Sequence, residues 1–238
     1  MKRRDFLKSV LILPGLSLLA SLGKEGVSYA MVVDVSKCIG CGKCVVACKI
    51  ENDVPKEMPI SRTWIEGYSA DYSSPYSRTQ VQKVVMNTTE NPFIKMKWKY
   101  KTVFYVPKLC NQCSSAPCVQ VCPVYARFYT KEGVVLVDKD SCIGCKYCVT
   151  ACPYGAIFVH PEQKVTDKCT FCYHRISKGL KPACVLVCPT GARKFGNIND
   201  KNSEVYRLLK ESRVAVLKPE MGTYPRVFYI NLDTTVVE

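Results

Sequence analysis

The chain has 238 residues, 47% of them hydrophobic, with 34 Lys and Arg against 20 Asp and Glu for a formal net charge of +14. A chain of this length and apolar content can bury a core, so its 16 cysteines are not needed as the staples of a small disulfide scaffold. No stretch of the chain beyond residue 30 approaches the roughly 18 consecutive apolar residues of a membrane-spanning helix.

Residues 1–30 read as a targeting segment. Lys2, Arg3, Arg4, Asp5, Phe6, Leu7 and Lys8 form a twin-arginine head, an apolar stretch runs from Val10 to Leu22, and Ser28-Tyr29-Ala30 has the small-residue look of a cleavage site. The apolar run is shorter than the roughly 20 residues of a spanning helix and is interrupted by Pro14 and Gly15, which favours a cleaved signal over an anchor. The expectation is export by the twin-arginine route to the periplasm or the outer face of the cytoplasmic membrane, with no membrane span in the mature chain.

The first cysteine group follows: Cys38, Cys41, Cys44 and Cys48. A segment over residues 53–106 then scatters Trp64, Tyr68, Tyr72, Tyr76, Trp98, Tyr100 and Tyr105 among Arg62, Arg78, Lys95, Lys97, Lys99 and Lys101. Such a mixture suits a protein interface or a cover for buried groups better than single-stranded nucleic acid. Thr102–Val106 reads as a strand leading to the second group, Cys110, Cys113, Cys118 and Cys122. Val134–Asp138 is a short strand before the third group, Cys142, Cys145, Cys148 and Cys152, and Ala156–Val159 is another before the fourth, Cys169, Cys172, Cys184 and Cys188. Ser203–Arg213 reads as a helix capped by Ser203, with Val205, Leu208 and Leu209 on one face, and Val227–Ile230 as a strand.

The third group is the bacterial ferredoxin run C-x2-C-x2-C-x3-C-P with every position filled, and the first has the same spacing but continues into Lys49. Soft thiolates at this spacing suit the iron corners of a [4Fe–4S] cluster, and four groups with no cysteine left over supply ligands for four of them. Gly40 and Gly144 give the backbone freedom to curl around an inorganic core. The chain is expected to turn into a helix at the fourth cysteine, with Pro123, Pro153 and Pro189 in its first turn. The longer gaps of the second and fourth groups cost little closure entropy. A zinc site built from four cysteines would use two C-x2-C pairs, which the fourth group alone could imitate, and a disulfide framework gives no reason for a repeated cluster run. Export in the folded state would keep sixteen thiols from meeting an oxidising compartment unprotected.

The charge is consistent with this chemistry. Loss of residues 1–30 would leave +11, and four clusters with their thiolates, at about −2 each, would bring that to roughly +3. Much of the basic excess is therefore counter-charge for clusters, and no nucleic-acid partner is expected.

An internal duplication sets the fold. Val33-Asp34 before Cys38-Ile39-Gly40-Cys41 recurs, 104 residues on, as Val137-Asp138 before Cys142-Ile143-Gly144-Cys145. The tails Cys122-Pro-Val-Tyr-Ala-Arg127 and Cys188-Pro-Thr-Gly-Ala-Arg193 also match. The element order expected around each group is strand, loop, short helix, strand. The expected fold is α+β, with two pseudo-symmetric ferredoxin-like units, each holding two [4Fe–4S] clusters. One unit comprises 31–52 and 169–200, the other 107–168, with 53–106 an inserted, partner-facing aromatic-basic segment and 201–238 a C-terminal helix and strand.

Four such groups behind a twin-arginine head resemble the four-cluster iron–sulfur (beta) subunits of the dimethyl sulfoxide reductase-type molybdoenzymes. The likeness is greatest to the beta subunits of polysulfide, thiosulfate and tetrathionate reductases and to the ferredoxin-like subunit of formate-dependent nitrite reduction. The stretch from Cys38 to Pro55 is similar to that family's first motif, including the lysine after the fourth cysteine, and Lys218-Pro-Glu-Met-Gly-Thr-Tyr-Pro225 resembles its C-terminal signature. The resemblance implies four ligand sets: Cys38, Cys41, Cys44 with Cys188; Cys169, Cys172, Cys184 with Cys48; Cys142, Cys145, Cys148 with Cys122; and Cys110, Cys113, Cys118 with Cys152. It also implies one-electron relay between an integral-membrane quinol-handling subunit and a molybdopterin-containing catalytic subunit, with no catalytic residues in this chain. The rival readings are a free-standing multi-cluster ferredoxin and a zinc- or disulfide-stapled binding module.

Overall fold

A computed structural model of the chain describes residues 26–72, 80–235 and 237. The twin-arginine head, the apolar run, Tyr76 and Arg78 lie outside the described residues.

Each cysteine group sits in the same local frame. β1 (Tyr29–Asp34) passes through the first cysteine loop into α1 (Lys43–Glu51), followed by β2 (Thr63–Asp71) and β3 (Gln80–Met86). β4 (Thr102–Leu109) leads through the second loop to α2 (Pro117–Gln120) and β5 (Arg127–Tyr129). β6 (Val135–Val137) leads through the third to α3 (Tyr147–Ala151) and β7 (Ile157–Val159). β8 (Thr166–Lys168) enters the fourth, which holds α4 (Tyr173–Ile176) and α5 (Ala183–Leu186), and β9 (Arg193–Asn197) leaves it. The chain closes with α6 (Glu204–Glu211), β10 (Val214–Ala215) and β11 (Val227–Ile230).

Four strands form the main sheet in the order β10-β11-β1-β9, with β1 parallel to β11 and antiparallel to β9. Side chains alternate across β1. Ala30 and Val32 pack with Val205 of α6 and with Ile230, while Met31 and Val33 face the core that contains Cys44, Cys169 and Cys184. The segment 201–238 is thus built into the sheet that backs the first and fourth cysteine groups. Helices α1 and α5 pack together, as do α2 and α3, which places the first group with the fourth and the second with the third.

β1 begins inside the segment read as a signal. Tyr29 and Ala30 are paired with Asn197 and Gly196, Tyr29 stacks on Phe195 at 5.1 Å, and Ala30 is fully buried. Ser28 is tied in as well, its carbonyl accepting from Ile198 N at 2.8 Å and its N–H donating to Asn197 Oδ1 at 2.8 Å.

The inserted segment is a three-stranded antiparallel sheet, order β3-β2-β4. Sequence reading found only β4, which runs on to Leu109, and missed β2 and β3. β2 lacks the two-residue alternation because it is buried along most of its length, including Thr63, Glu66 and Ser69. Burial of Glu66 is made tolerable by Lys108 at 2.8 Å, Lys83 at 3.0 Å, the Trp64 Nε1–H at 3.0 Å and the Tyr68 hydroxyl. Burial works to raise its carboxyl pKa, but Lys108, Tyr68 and Trp64 prevail and bring it to about 2.

Much of the aromatic content of the insertion turns inward. Tyr68 is buried against Phe104 (5.3 Å), and Phe93, Trp98 and Tyr105 pack together with ring centroids 5.0 to 6.1 Å apart. Lys95, Lys97, Lys99 and Lys101 remain outside. The sheet lies over the first cysteine loop: Asn91 Nδ2 donates to Gly40 O at 3.0 Å, and a Cβ on Gly40 would stand 2.6 Å from the Tyr105 ring.

Candidate metal centres

All four loops share one backbone feature. The second residue after the first cysteine is left-handed in each: Gly40 (φ +67°), Gln112 (+47°), Gly144 (+69°) and Phe171 (+54°). Glycine marks the requirement in two loops, and in the other two nothing in the sequence does.

The helices lie differently from the sequence expectation. In the second, third and fourth groups they end before the fourth cysteine, and Pro123, Pro153 and Pro189 instead open tight turns closed by Tyr125 N→Cys122 O, Gly155 N→Cys152 O and Gly191 N→Cys188 O, each 3.3 Å. Proline's fixed φ suits the second position of such a turn as well as it suits a helix start. The first group has Lys49 in that place, so α1 continues past Cys48 to Glu51. The buried Lys49 ammonium donates to the carbonyls of Pro55 (2.9 Å), Met58 (2.9 Å) and Ile60 (2.6 Å), which ties down the chain entering β2.

The sixteen cysteines are unpaired thiols, and they converge in sets. One pocket is lined by Cys48, Cys169, Cys172 and Cys184, and another by Cys122, Cys142, Cys145 and Cys148. Cys113 lies beside Cys110, Cys118 and Cys152, and Cys38 beside Cys44 and Cys188, with Cys41 on the same loop. Each set draws three thiols from one cysteine group and one from the partner group. Among the described residues no three His, Cys, Asp or Glu side chains converge on the position of a single ion. His174 is drawn away from the thiols to Glu51 at 2.7 Å.

Burial separates the sets. Cys48, Cys169, Cys172 and Cys184 are all buried, as are Cys110, Cys113 and Cys118. Cys38, Cys41, Cys122, Cys142, Cys152 and Cys188 are partly open and Cys145 is exposed, while Cys44 and Cys148 are buried, so the Cys38 and Cys142 sets are the more open two rather than wholly open. Burial pushes Cys113 up to about 12 and Cys118 and Cys184 to about 11, so these groups ionise only when a cation takes the proton's place. At the open sets, burial acts against Cys142 and Cys188, but backbone and threonine hydrogen bonds outweigh it and hold both below the usual thiol range.

Polar groups behind the thiols complete the sites, as the hydrogen-bond partners of metal ligands do. Asn52 Nδ2 points at Cys48 Sγ (3.5 Å) and Cys172 Sγ (3.9 Å), and its oxygen accepts from Arg62, which pairs with Asp167 at 2.9 Å. Thr166 Oγ1 lies 3.6 Å from Cys142 Sγ and 3.5 Å from Cys148 Sγ. Lys168 is buried on the carbonyls of Val135 (2.5 Å) and Cys169 (3.0 Å). Both amide atoms of Asn111, Nε and Nη1 of Arg127, and Nε of Arg193 are buried with no hydrogen-bond partner among the described residues. Orphaned donors of this kind beside thiol-lined cavities fit a sulfur-rich, negatively charged group. Sequence reading missed them, although the repeated Cys-Pro-x-x-Ala-Arg tail carried the signal for both arginines.

Comparison with known proteins points to iron–sulfur chemistry. Two family models, each described as a 4Fe–4S dicluster domain, match residues 37–126 and 101–198. The chain is 43% identical to a tetrathionate reductase subunit (the B component) of Salmonella typhimurium, over 88% of this chain and 74% of that one. It is 36% identical to the arsenate respiratory reductase iron-sulfur subunit ArrB of a Shewanella species (84% and 94% covered) and 37% identical to protein NrfC of Escherichia coli (96% and 94%). The chain belongs to the family of ferredoxin-type iron–sulfur (beta) subunits of dimethyl sulfoxide reductase-type molybdoenzymes, which transfer electrons and are not themselves the catalytic subunits.

Proposed function

We propose that the chain holds four [4Fe–4S] clusters in the ligand sets Cys38/Cys41/Cys44/Cys188, Cys48/Cys169/Cys172/Cys184, Cys110/Cys113/Cys118/Cys152 and Cys122/Cys142/Cys145/Cys148, and relays electrons along them in that order. Each cluster, when bound, takes up and releases one electron. The observation that carries this reading is the convergence of thiols from paired groups on separate spaces, two of them lined by complete sets. The order is supported by neighbouring thiols: Cys184 lies beside Cys44, and Cys169 beside Cys110.

The two more buried sets are thus flanked by the two more open ones, and the open ends carry exposed apolar residues. Ile39 and Leu186 stand at one end, and Ile143, Tyr147 and Tyr125 at the other. Exposed apolar rims of this kind mark docking faces. One end would meet a molybdopterin-containing catalytic subunit and the other an integral-membrane quinol-handling subunit. The β3 edge of the insertion, with Val81 and Val85 exposed, adds a further surface for a fixed partner. The twin-arginine head assigns the complex to the periplasmic side, and among the described residues no helix is long and apolar enough to cross a membrane, so membrane attachment would come through the partner.

Anaerobic purification of the native complex, with its large subunit identified and its metals counted, tests the reading. About 16 iron and 16 acid-labile sulfide per chain are expected. Zinc without sulfide would refute it, and a monomeric chain that exchanges electrons with many proteins would favour a free-standing ferredoxin.

A further inference from the structure

Most buried basic side chains have evident partners. Arg62 and Lys108 have carboxylates, and Lys49 and Lys168 have backbone carbonyls. Arg127 and Arg193 do not fit this pattern. They are 2% and 1% exposed, and among the described residues neither forms an ion pair with a carboxylate. Each gives Nη2 to a threonine hydroxyl, Arg127 to Thr166 at 2.9 Å and Arg193 to Thr63 at 2.7 Å. Among the described residues each keeps Nε without a partner, Arg127 also Nη1, while Arg193 otherwise meets sulfur, its Nη1 lying 3.8 Å from Met31 Sδ and its guanidinium hydrogen-bonding the Cys184 thiol.

The two positions are equivalent. Each arginine is the fifth residue after the last cysteine of its group and the first residue of the strand that follows, β5 or β9. Each also lies between two thiol sets. Arg193 adjoins Cys38 and Cys44 of one set and Cys184 of the next, and Arg127 adjoins Cys118 of one set and Cys142 of the next. A buried guanidinium with unmet N–H groups is costly to fold around unless an anion receives them.

We propose that Arg127 and Arg193 are equivalent positioning residues, one in each ferredoxin-like unit, whose free N–H groups face the sulfur of both clusters of that unit and raise both reduction potentials. This rests on the four-cluster reading above. An added electron makes a cluster one unit more negative, and a fixed cation in a dry setting favours that reduced form. The repeat makes the effect local: one arginine serves one pair of clusters.

The test is an EPR-monitored redox titration of the anaerobically purified complex carrying Arg193→Gln or Arg127→Gln, with iron and sulfide counted in parallel. In Arg193→Gln two of the four midpoint potentials move negative and two stay. In Arg127→Gln the complementary pair moves. Full cluster content with unmoved potentials, or the same pair moved by both variants, overturns the proposal. Should a Gln variant lose iron, the matching Met variant, neutral and of similar length, decides. Iron retained with only that unit's two potentials displaced supports the proposal. Iron lost again, or retained with all four potentials unchanged, marks a merely structural role and overturns it. A wild-type count below four clusters would strike at the proposed function instead.

Discussion

The outer cysteine loops, at 38–48 and 142–152, and the inner ones, at 110–122 and 169–188, meet the same backbone demand in opposite ways. Where the thiols are partly open, glycine takes the left-handed position. Where the thiols are buried, a large side chain takes it, although an L-residue there costs about 1–2 kcal/mol. Gln112 is fully buried, its amide donating to Cys169 O at 2.6 Å and accepting from Val135 N at 2.7 Å, so it joins the second loop to the fourth. Phe171 is 1% exposed and packs edge-on against Phe195 at 5.3 Å. Burial and hydrogen bonding there exceed the local strain, and Gln112 ties the second loop to the fourth.

The sharpest way to break this comparison is Phe171→Ala. It removes a core ring and leaves the strain, and should cost about 3–5 kcal/mol in denaturant unfolding, with iron lost first from the fourth group. A loss below about 1 kcal/mol would mean that Phe171 is incidental to the loop.

Glu66→Gln comes next, because Glu66 anchors Lys108 on the strand that enters the second loop. Taking the carboxylate from a buried ammonium should cost about 3 kcal/mol at neutral pH, somewhat less than a fully buried pair because Lys83 is partly exposed. The folded carboxyl titrates near 2 against an ordinary value of 4.5. Its contribution is therefore complete above pH 4.5 and is lost as pH falls towards 2. The gap in unfolding free energy between wild type and Glu66→Gln should narrow over that window, and a constant gap would contradict the assignment.

The smallest effect separates the two glycines. Gly144→Ala would put a Cβ 2.7 Å from the backbone oxygen of Lys164, whereas Gly40→Ala meets the ring of Tyr105. Both carry the strain of about 1–2 kcal/mol, but a ring can move where a peptide cannot. Iron per chain should fall further in Gly144→Ala than in Gly40→Ala, and the Gly40→Ala loss should recover in part when it is combined with Tyr105→Ala. Equal losses without recovery would show that conformation alone, not space, selects glycine.

The cysteine groups were legible in the sequence because thiolate spacing is local, and so were β4 and β11, short runs of β-branched and aromatic residues, and α6, whose apolar residues lie on one face. β2 was not, since Glu66 and Thr63 look like solvent-facing residues until Lys108 arrives from 42 positions along the chain. The left-handed backbone at Gln112 and Phe171 was hidden because its support comes from distant contacts. Proline after the fourth cysteine fits a helix start and a turn equally well, so only the fold could decide between them.

The start of β1 bears on the cleavage after Ala30 that the sequence leads one to expect. A peptidase needs its scissile bond extended and accessible, but the bond after Ala30 lies two residues into a strand that pairs with β9 there and with β11 from Met31 onward. Cutting at that point would strip Tyr29 from Phe195 and uncover the face that packs on α6. Trimming at Ala30 is therefore open only while β1 is undocked. Once the sheet has closed, the bond after Ala30 is out of a protease's reach.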